Sequence, residues 1–294
     1  MILTKTIKSY AKINLWLNVG SKRPDGYHDV ESVMQQVTLF DYVTVLRDTD
    51  TTARGVRITC TDRLVPSDDR NIAAKCAMAF MEKFNINSEV SVSIDKRIPV
   101  AAGLAGGSTD GAAVLSIMNS IFDVNAPMDE LCAIAAKLGA DIPFCLIGGT
   151  CTASGIGEVL TPVKTPELPY HILICNAGHG VSTPEAYRML DETPAMESAH
   201  LPPMDGILRV LRDGLLPGTL YNSFERVILP IHPEAAQIRR DMLTLGAKSA
   251  LMSGSGPSVF GLFPDAEVRD RAKAFFDMKG ILAMPCEPVM KKIK

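Results

Sequence analysis

The segment IPVAAGLAGGSTDGAAV, residues 98–114, gives glycine and alanine nine of its seventeen positions. It follows EVSVSI (89–94), whose alternation predicts a strand, and runs into STDGAAVLSIMNSIF (108–122), which predicts a helix with Ser108 at its N-cap. Glycine tolerates positive φ and lets a bound group approach the backbone. A helix start adds unpaired N–H groups and a partial positive charge. Two readings stay open. The segment is a tight strand-to-helix turn in a closely packed fold, or it is a phosphate site. In the second case Gly103, Gly106 and Gly107 expose the backbone, and the Ser108 and Thr109 hydroxyls bind phosphate or a magnesium ion held by it. No lysine follows the glycines, so this is not a Walker A loop, and the spacing is not G-x-G-x-x-G.

Residues 7–19 alternate strictly. Ile7, Ala11, Ile13, Leu15, Leu17 and Val19 share one face of a predicted strand; Lys8, Tyr10, Lys12, Asn14, Trp16 and Asn18 share the other. The second face either meets water or lines a cleft. RPDGYH (23–28) is a turn signal. LGADIPF (138–144) sets Asp141 among apolar residues, just past a helix predicted over 129–138 with Asp129 as its cap. Such an aspartate is a turn residue, or a semi-buried carboxylate in need of a partner, for which Lys12 is a candidate. MSGSGPSVF (252–260) is a second Gly/Ser loop between predicted strands. Ser253, not glycine, stands two residues before Ser255, so no hydrolase nucleophile elbow is present.

Composition excludes several function classes. Of 294 residues, 47% are hydrophobic and 21% charged, and the net charge is -3, so a large core is available and nothing favours nucleic acid as partner. Seven dispersed cysteines without a C-x-x-C pair, and five scattered histidines, fit reduced structural thiols better than a disulfide scaffold or a zinc site. No apolar stretch approaches the ~20 residues of a membrane span, and lysines interrupt the N-terminal segment, so a cytoplasmic protein without membrane contact is expected. Strands and helices mix without strict βαβ alternation, which predicts an α+β protein. The three-proline stretch 161–170 marks the expected boundary between domains 1–160 and 161–294.

Three blocks in order carry a resemblance over essentially the whole chain: SYAKINLWLNVGSKRPDGYHDVESVMQQVTLFD (9–41), IPVAAGLAGGSTDGAA (98–113) and LMSGSGPSVFG (251–261), with LGADIPF between the last two. Together they resemble the GHMP kinase superfamily. The sequence departs at Ala105, where many members have glycine, and at Thr109 and Gly111, where serine and alanine are commoner. The resemblance implies a two-domain fold, ribosomal protein S5 domain 2-like at the N-terminus and a ferredoxin-like α/β sandwich at the C-terminus.

It also implies a reaction: transfer of the ATP γ-phosphoryl group, with Mg2+, to a hydroxyl of a small-molecule substrate, a cytidine diphosphate-linked methylerythritol. By the same resemblance Asp141 is the general base and Lys12 its cationic neighbour. Pro99, Val100, Ala101, Ala102, Gly103, Leu104, Ala105, Gly106, Gly107, Ser108 and Thr109 form the phosphate loop, and Asn71 lies where adenine is held. Tyr27 and His28 contact cytosine, Tyr187 supplies a second stacking ring, and Thr183 and Asn14 contact substrate oxygens. Ser255 and Gly256 close the site in an indirect role. A monomer or weak homodimer is expected. Competing readings are a GHMP kinase acting on homoserine or mevalonate, which RPDGYH disfavours, a silent nucleotide binder, and an RNA-binding protein.

Overall fold

The computed structural model describes residues 2–48, 54–166, 168–176, 178, 182–193, 202–215 and 220–290. The chain divides into two compact units. The first comprises residues 1–11, 39–100 and 105–147, and the second 12–38, 101–104 and 148–294. Two long strands, β1 (Ile2–Lys22) and β2 (His28–Asp48), contribute residues to both.

In the first unit β3 (Gly55–Cys60) pairs parallel with β4 (Glu89–Asp95), and β4 pairs antiparallel with Tyr42–Arg47 of β2, Val45 opposite Val92. Four helices belong here: α1 (Ile72–Lys83), α2 (Gly106–Ile121), α3 (Met128–Ala136) and α4 (Ile142–Ile147). One core joins Val43, Val45, Val90, Val92 and Ile94 of the strands to Phe80 of α1 and Val114, Ile117 and Met118 of α2. The small residues of GAAV have a packing reason. A Cβ on Gly111 would lie 2.7 Å from Cys76 Sγ and 3.0 Å from Ile72 Cγ2, so α2 lies hard against α1 there.

In the second unit β5 (Thr150–Ser154) pairs antiparallel with Ser32–Gln35, β6 (Val159–Pro162) pairs with β5, and Trp16–Leu17 pair with β8 (Tyr221–Asn222). The larger sheet runs β3-β4-β2-β1-β8, with β5 also on β2. A separate antiparallel sheet has the order β11 (Leu282–Cys286), β7 (His171–Asn176), β10 (Val259–Phe263), β9 (Ser249–Met252). It is covered by α8 (Pro233–Thr244) and α9 (Ala266–Met278), and α5 (Thr183–Asp191), α6 (Met204–Arg212) and α7 (Glu225–Ile228) complete the described helices. The second core gathers Leu173, Phe224, Ile228, Ile238, Phe263 and Phe276. One sheet of mixed pairing and one antiparallel sheet, packed with helices, confirm the α+β expectation.

Two caps differ from expectation. The helix after the glycine loop begins at Gly106, not Ser108, and no side chain caps it; Ala105 precedes it in the left-handed conformation (φ 57°). The loop thus turns into the helix through backbone alone, two residues early. The next helix starts at Met128 after Pro127. Asp129 therefore lies in its first turn, where a carboxylate faces the positive helix end without capping it. The seven cysteines form no disulfide among the described residues, and burial pushes the Cys76 thiol up to about 12.

Candidate active site

Both faces of β1 are buried in its middle. Lys12, Asn14 and Trp16 are 5%, 3% and 4% exposed, so this stretch of the polar face does not meet water, whereas Lys8 at its start does. Their polar atoms form a chain: Lys12 Nζ donates to Asn14 Oδ1 at 2.7 Å, Asn14 Nδ2 to Ser32 Oγ at 2.9 Å, and Ser32 Oγ to the Trp16 carbonyl at 2.7 Å. Buried polar side chains in a hydrogen-bonded row hold fixed positions.

The glycine loop runs beside this strand. The Lys12 backbone N–H donates to the Leu104 carbonyl at 3.1 Å. Ala101, Gly103 and Ala105 take φ of 52°, 74° and 57°, an alternation that folds the loop on itself. The second Gly/Ser loop packs on it. Ser253 Oγ donates to the Gly103 carbonyl at 2.9 Å, and a Cβ on Gly103 would sit 2.0 Å from the Ser253 carbonyl oxygen. Buried Asn222 holds that second loop, donating to the Met252 and Gly254 carbonyls at 2.7 and 2.8 Å while accepting from the Phe224 N–H.

A buried charge cluster underlies the loop's other end. Lys96 Nζ lies 2.5 Å from Asp41 Oδ2 and 2.7 Å from Asp110 Oδ2, with all three side chains at or below 3% exposure. Asp41 Oδ1 also accepts from the N–H groups of Arg97 and Ile98, and Ser9 Oγ donates to Asp110 Oδ1 at 3.2 Å. Burial drives the Asp110 carboxyl up to about 7, against the pull of Lys96 and with the repulsion of Asp41. The same two carboxylates outweigh burial on Lys96 and hold its ammonium above the usual lysine range.

Within 105–109 the residues serve different ends. A Cβ on Gly106 would stand 2.9 Å from Lys96 Nζ, whereas one on exposed Gly107 would meet nothing within 4 Å. The first N–H groups of α2 have no intrahelical partner. The Thr109 hydroxyl donates to the Tyr10 carbonyl at 2.7 Å and its N–H to the Ala105 carbonyl at 2.9 Å, so both donors are used inside the fold. Ser108 is half-buried. Asn71 is the N-cap of α1, accepting from Ala73 N–H at 2.8 Å and donating to the Pro66 carbonyl at 2.7 Å, so its side chain is occupied structurally. Pro99, Val100 and Ala102 form the loop's entry, with Ala102 buried. Among the described residues no group of three His, Cys, Asp or Glu side chains is placed to hold a metal ion.

Asp141 belongs to the first unit. It is half-buried at the turn from α3 to α4, and its carbonyl accepts from the Cys145 N–H at 3.1 Å as the first bond of α4, whose Ile142, Pro143 and Phe144 are buried. Lys12 belongs to the second.

The aromatic residues gather in the second unit. The RPDGYH turn closes with Arg23 N–H to the Tyr27 carbonyl at 2.6 Å and Gly26 at φ 87°, leaving Tyr27 59% exposed. His28 stacks on Tyr187 with centroids 4.9 Å apart and planes 24° from parallel, and Phe224 meets Tyr187 edge-on at 5.0 Å. Asp191 Oδ1 is 2.7 Å from His28 Nε2, and Lys22 Nζ donates to Asp191 Oδ2 at 2.7 Å. The Lys22 hydrogen bond first, then that of His28, holds the Asp191 carboxyl below the usual aspartate range. Thr183 opens α5, its hydroxyl 3.2 Å from that of Ser255.

Sequence reasoning missed Lys22, Asp191, Asn222 and the Lys96 cluster. Lys22 alone had a signal: its even number places it on the same strand face as Lys12 and Asn14. His28 and Asp191 stand 163 residues apart, where no local pattern reaches.

Comparison with known proteins bears on the whole chain. Residues 71–149 match the model of the GHMP kinases N terminal domain, and 208–280 that of the GHMP kinases C terminal. A protein from Lachnospira eligens named 4-diphosphocytidyl-2-C-methyl-D-erythritol kinase is 41% identical, covering 93% of this chain and 94% of its own. One of the same name from Clostridium perfringens is 40% identical over 93% of each chain. The crystal structure of a 4-(cytidine 5'-diphospho)-2C-methyl-D-erythritol kinase superposes with a TM-score of 0.79 at 31% identity, over 96% of this chain and 99% of that one.

Proposed function

Given that the chain belongs to the GHMP kinases, and among them to the 4-diphosphocytidyl-2-C-methyl-D-erythritol kinases, we propose how its own residues divide the work of that reaction. The protein phosphorylates the 2-hydroxyl of 4-diphosphocytidyl-2-C-methyl-D-erythritol with ATP, a step of the methylerythritol phosphate route to isoprenoid precursors. One observation carries the division of roles. The buried, hydrogen-bonded Lys12 is tied by its own backbone to Leu104 of a loop built from alternating left-handed residues.

Phosphoryl transfer needs positioning and charge neutralisation more than covalent chemistry. The backbone from Gly103 to Ser108 cradles the ATP phosphates, with open Gly107 at the approach and the N-terminus of α2 contributing its positive end. ATP enters with magnesium, which offsets charge on the phosphate oxygens when bound. Lys12, fixed by Asn14, neutralises charge at the transferred group. Asp141 accepts the proton of the substrate hydroxyl as it attacks. Tyr27, His28 and Tyr187 hold the cytosine by stacking and edge hydrogen bonds, and Thr183 and Asn14 bind substrate oxygens. Asn71 borders the adenine through the start of α1. This reading keeps the phosphate loop, Lys12 and Asp141 in a domain of residues 1–160, followed by one of 161–294; the two family matches fall on either side of that boundary.

The test is ADP release by the purified protein with MgATP and, in turn, the cytidine compound, mevalonate and homoserine. Turnover is expected with the cytidine compound alone. Asp141→Asn should lower kcat by about 10²–10⁴-fold with ATP binding retained. Full activity in Asp141→Asn would remove the aspartate from the base role, and turnover of mevalonate would remove the aromatic cluster from substrate choice.

A further inference from the structure

His28 is held at two places. Its face lies on Tyr187, and its Nε2 meets Asp191 Oδ1 at 2.7 Å. The other oxygen of Asp191 accepts from Lys22 Nζ, also at 2.7 Å, so the carboxylate is gripped at both ends. The three residues come from the end of β1, the start of β2 and the last turn of α5. The His28 ring is 7% exposed, so its orientation is set by these contacts and not by solvent.

An ionised carboxylate only accepts hydrogen bonds. The carboxylate therefore takes its proton from Nε2, and in the tautomer it selects Nδ1 is the acceptor nitrogen. Lys22 reinforces this by keeping Asp191 ionised. A pyrimidine edge reads such an acceptor in one way. Cytosine carries an amino group, a donor, at the position where uracil carries a carbonyl, an acceptor. An acceptor nitrogen pairs with the first and repels the second.

We propose that Asp191, held by Lys22, is a positioning residue that fixes the Nε2–H tautomer of His28 and so makes the site select an amino-bearing pyrimidine over a keto-bearing one. The inference rests on His28 being a base contact, as in the preceding section. It adds the reason for discrimination: a buried acceptor facing a carbonyl is left unpaired, and such mismatches are what make polar sites selective.

The experiment uses the full chain and two substrates, the cytidine compound and its uridine counterpart, with Asp191→Asn, Asp191→Ala, Lys22→Met and His28→Ala. Asp191→Asn keeps the shape of the side chain while its amide can donate to Nε2, so it tests the tautomer without leaving a hole. Expected for Asp191→Asn is a roughly tenfold fall in the cytidine-to-uridine ratio of kcat/KM, with KM for ATP unchanged and kcat within about threefold. Lys22→Met should move the ratio the same way by less. The 15N spectrum of the His28 ring should report a proton on Nε2 in the parent and a mixed or reversed tautomer in Asp191→Asn. If both Asp191 variants keep the parent ratio and the parent tautomer while His28→Ala loses substrate affinity, Asp191 is idle and the inference fails with the base contact intact. If His28→Ala itself keeps the parent KM for the cytidine compound, the base contact fails and the inference falls with it.

Discussion

Two glycines four residues apart in the same loop do opposite things. Gly103 has φ of 74°, and a Cβ there would meet the Ser253 carbonyl at 2.0 Å; Gly107 has open space around it. Gly103→Ala should therefore lower stability by about 3 kcal/mol or more, by combined strain and overlap with backbone that cannot yield. Gly107→Ala should leave the melting temperature within ~2 °C while raising KM for ATP, because the added methyl meets only the incoming phosphates. Thermal melts beside ATP titrations separate the two. Ala105 sits in the left-handed region at φ 57°, a conformation that is about 1 kcal/mol or more uphill for an L side chain. Ala105→Gly relieves that strain but adds freedom to the unfolded chain, so a change within ~1 kcal/mol is expected, measured by urea unfolding.

Asp110, early in α2, is tied to Asp41 of β2 through Lys96, the residue that follows β4. Two carboxylates share one buried ammonium in the Lys96 cluster, so one negative charge is in excess. Asp110 is raised from 3.8 in the ordinary state to about 7 in the fold. The folded protein thus holds this proton more tightly than the unfolded chain. The group's contribution to stability is complete below about pH 4 and is lost as pH rises through about 7. Asp110→Asn should flatten the fall in urea midpoint between those pH values, and a steeper fall in the variant would refute the assignment. The second Gly/Ser loop hangs on Asn222, whose three hydrogen bonds reach Met252, Gly254 and Phe224. Asn222→Ala strands two buried carbonyls and an N–H, which should cost about 2–4 kcal/mol in the same assay.

At the scale of the molecule, the two hydrophobic cores share no residue: Phe80 anchors one and Phe263 the other. Truncating either to alanine should cost about 3–5 kcal/mol. The double variant should lose the sum to within ~0.5 kcal/mol, as sites without shared partners do, with urea unfolding as the measure. Much of this architecture was legible from residues alone. Alternation over 7–19 and 89–94 gave strands and RPDGYH gave a turn, because side-chain period and turn chemistry act over a few residues. The ordered motifs also identified the family. The caps of α2 and α3 were misplaced because the backbone, through Ala105 and Pro127, sets those starts in place of a side chain. Residue order alone therefore specifies the local elements, the small-residue loop and the types of group available for chemistry. Only tertiary structure decided that Asp191 reaches His28, that Asp41 and Asp110 share Lys96, and that Ser253 closes on Gly103, pairs separated by 163, 55, 14 and 150 residues. The reason is that hydrogen bonds and ion pairs depend on distances of about 3 Å, and only the packed topology brings residues so distant in the chain within that reach.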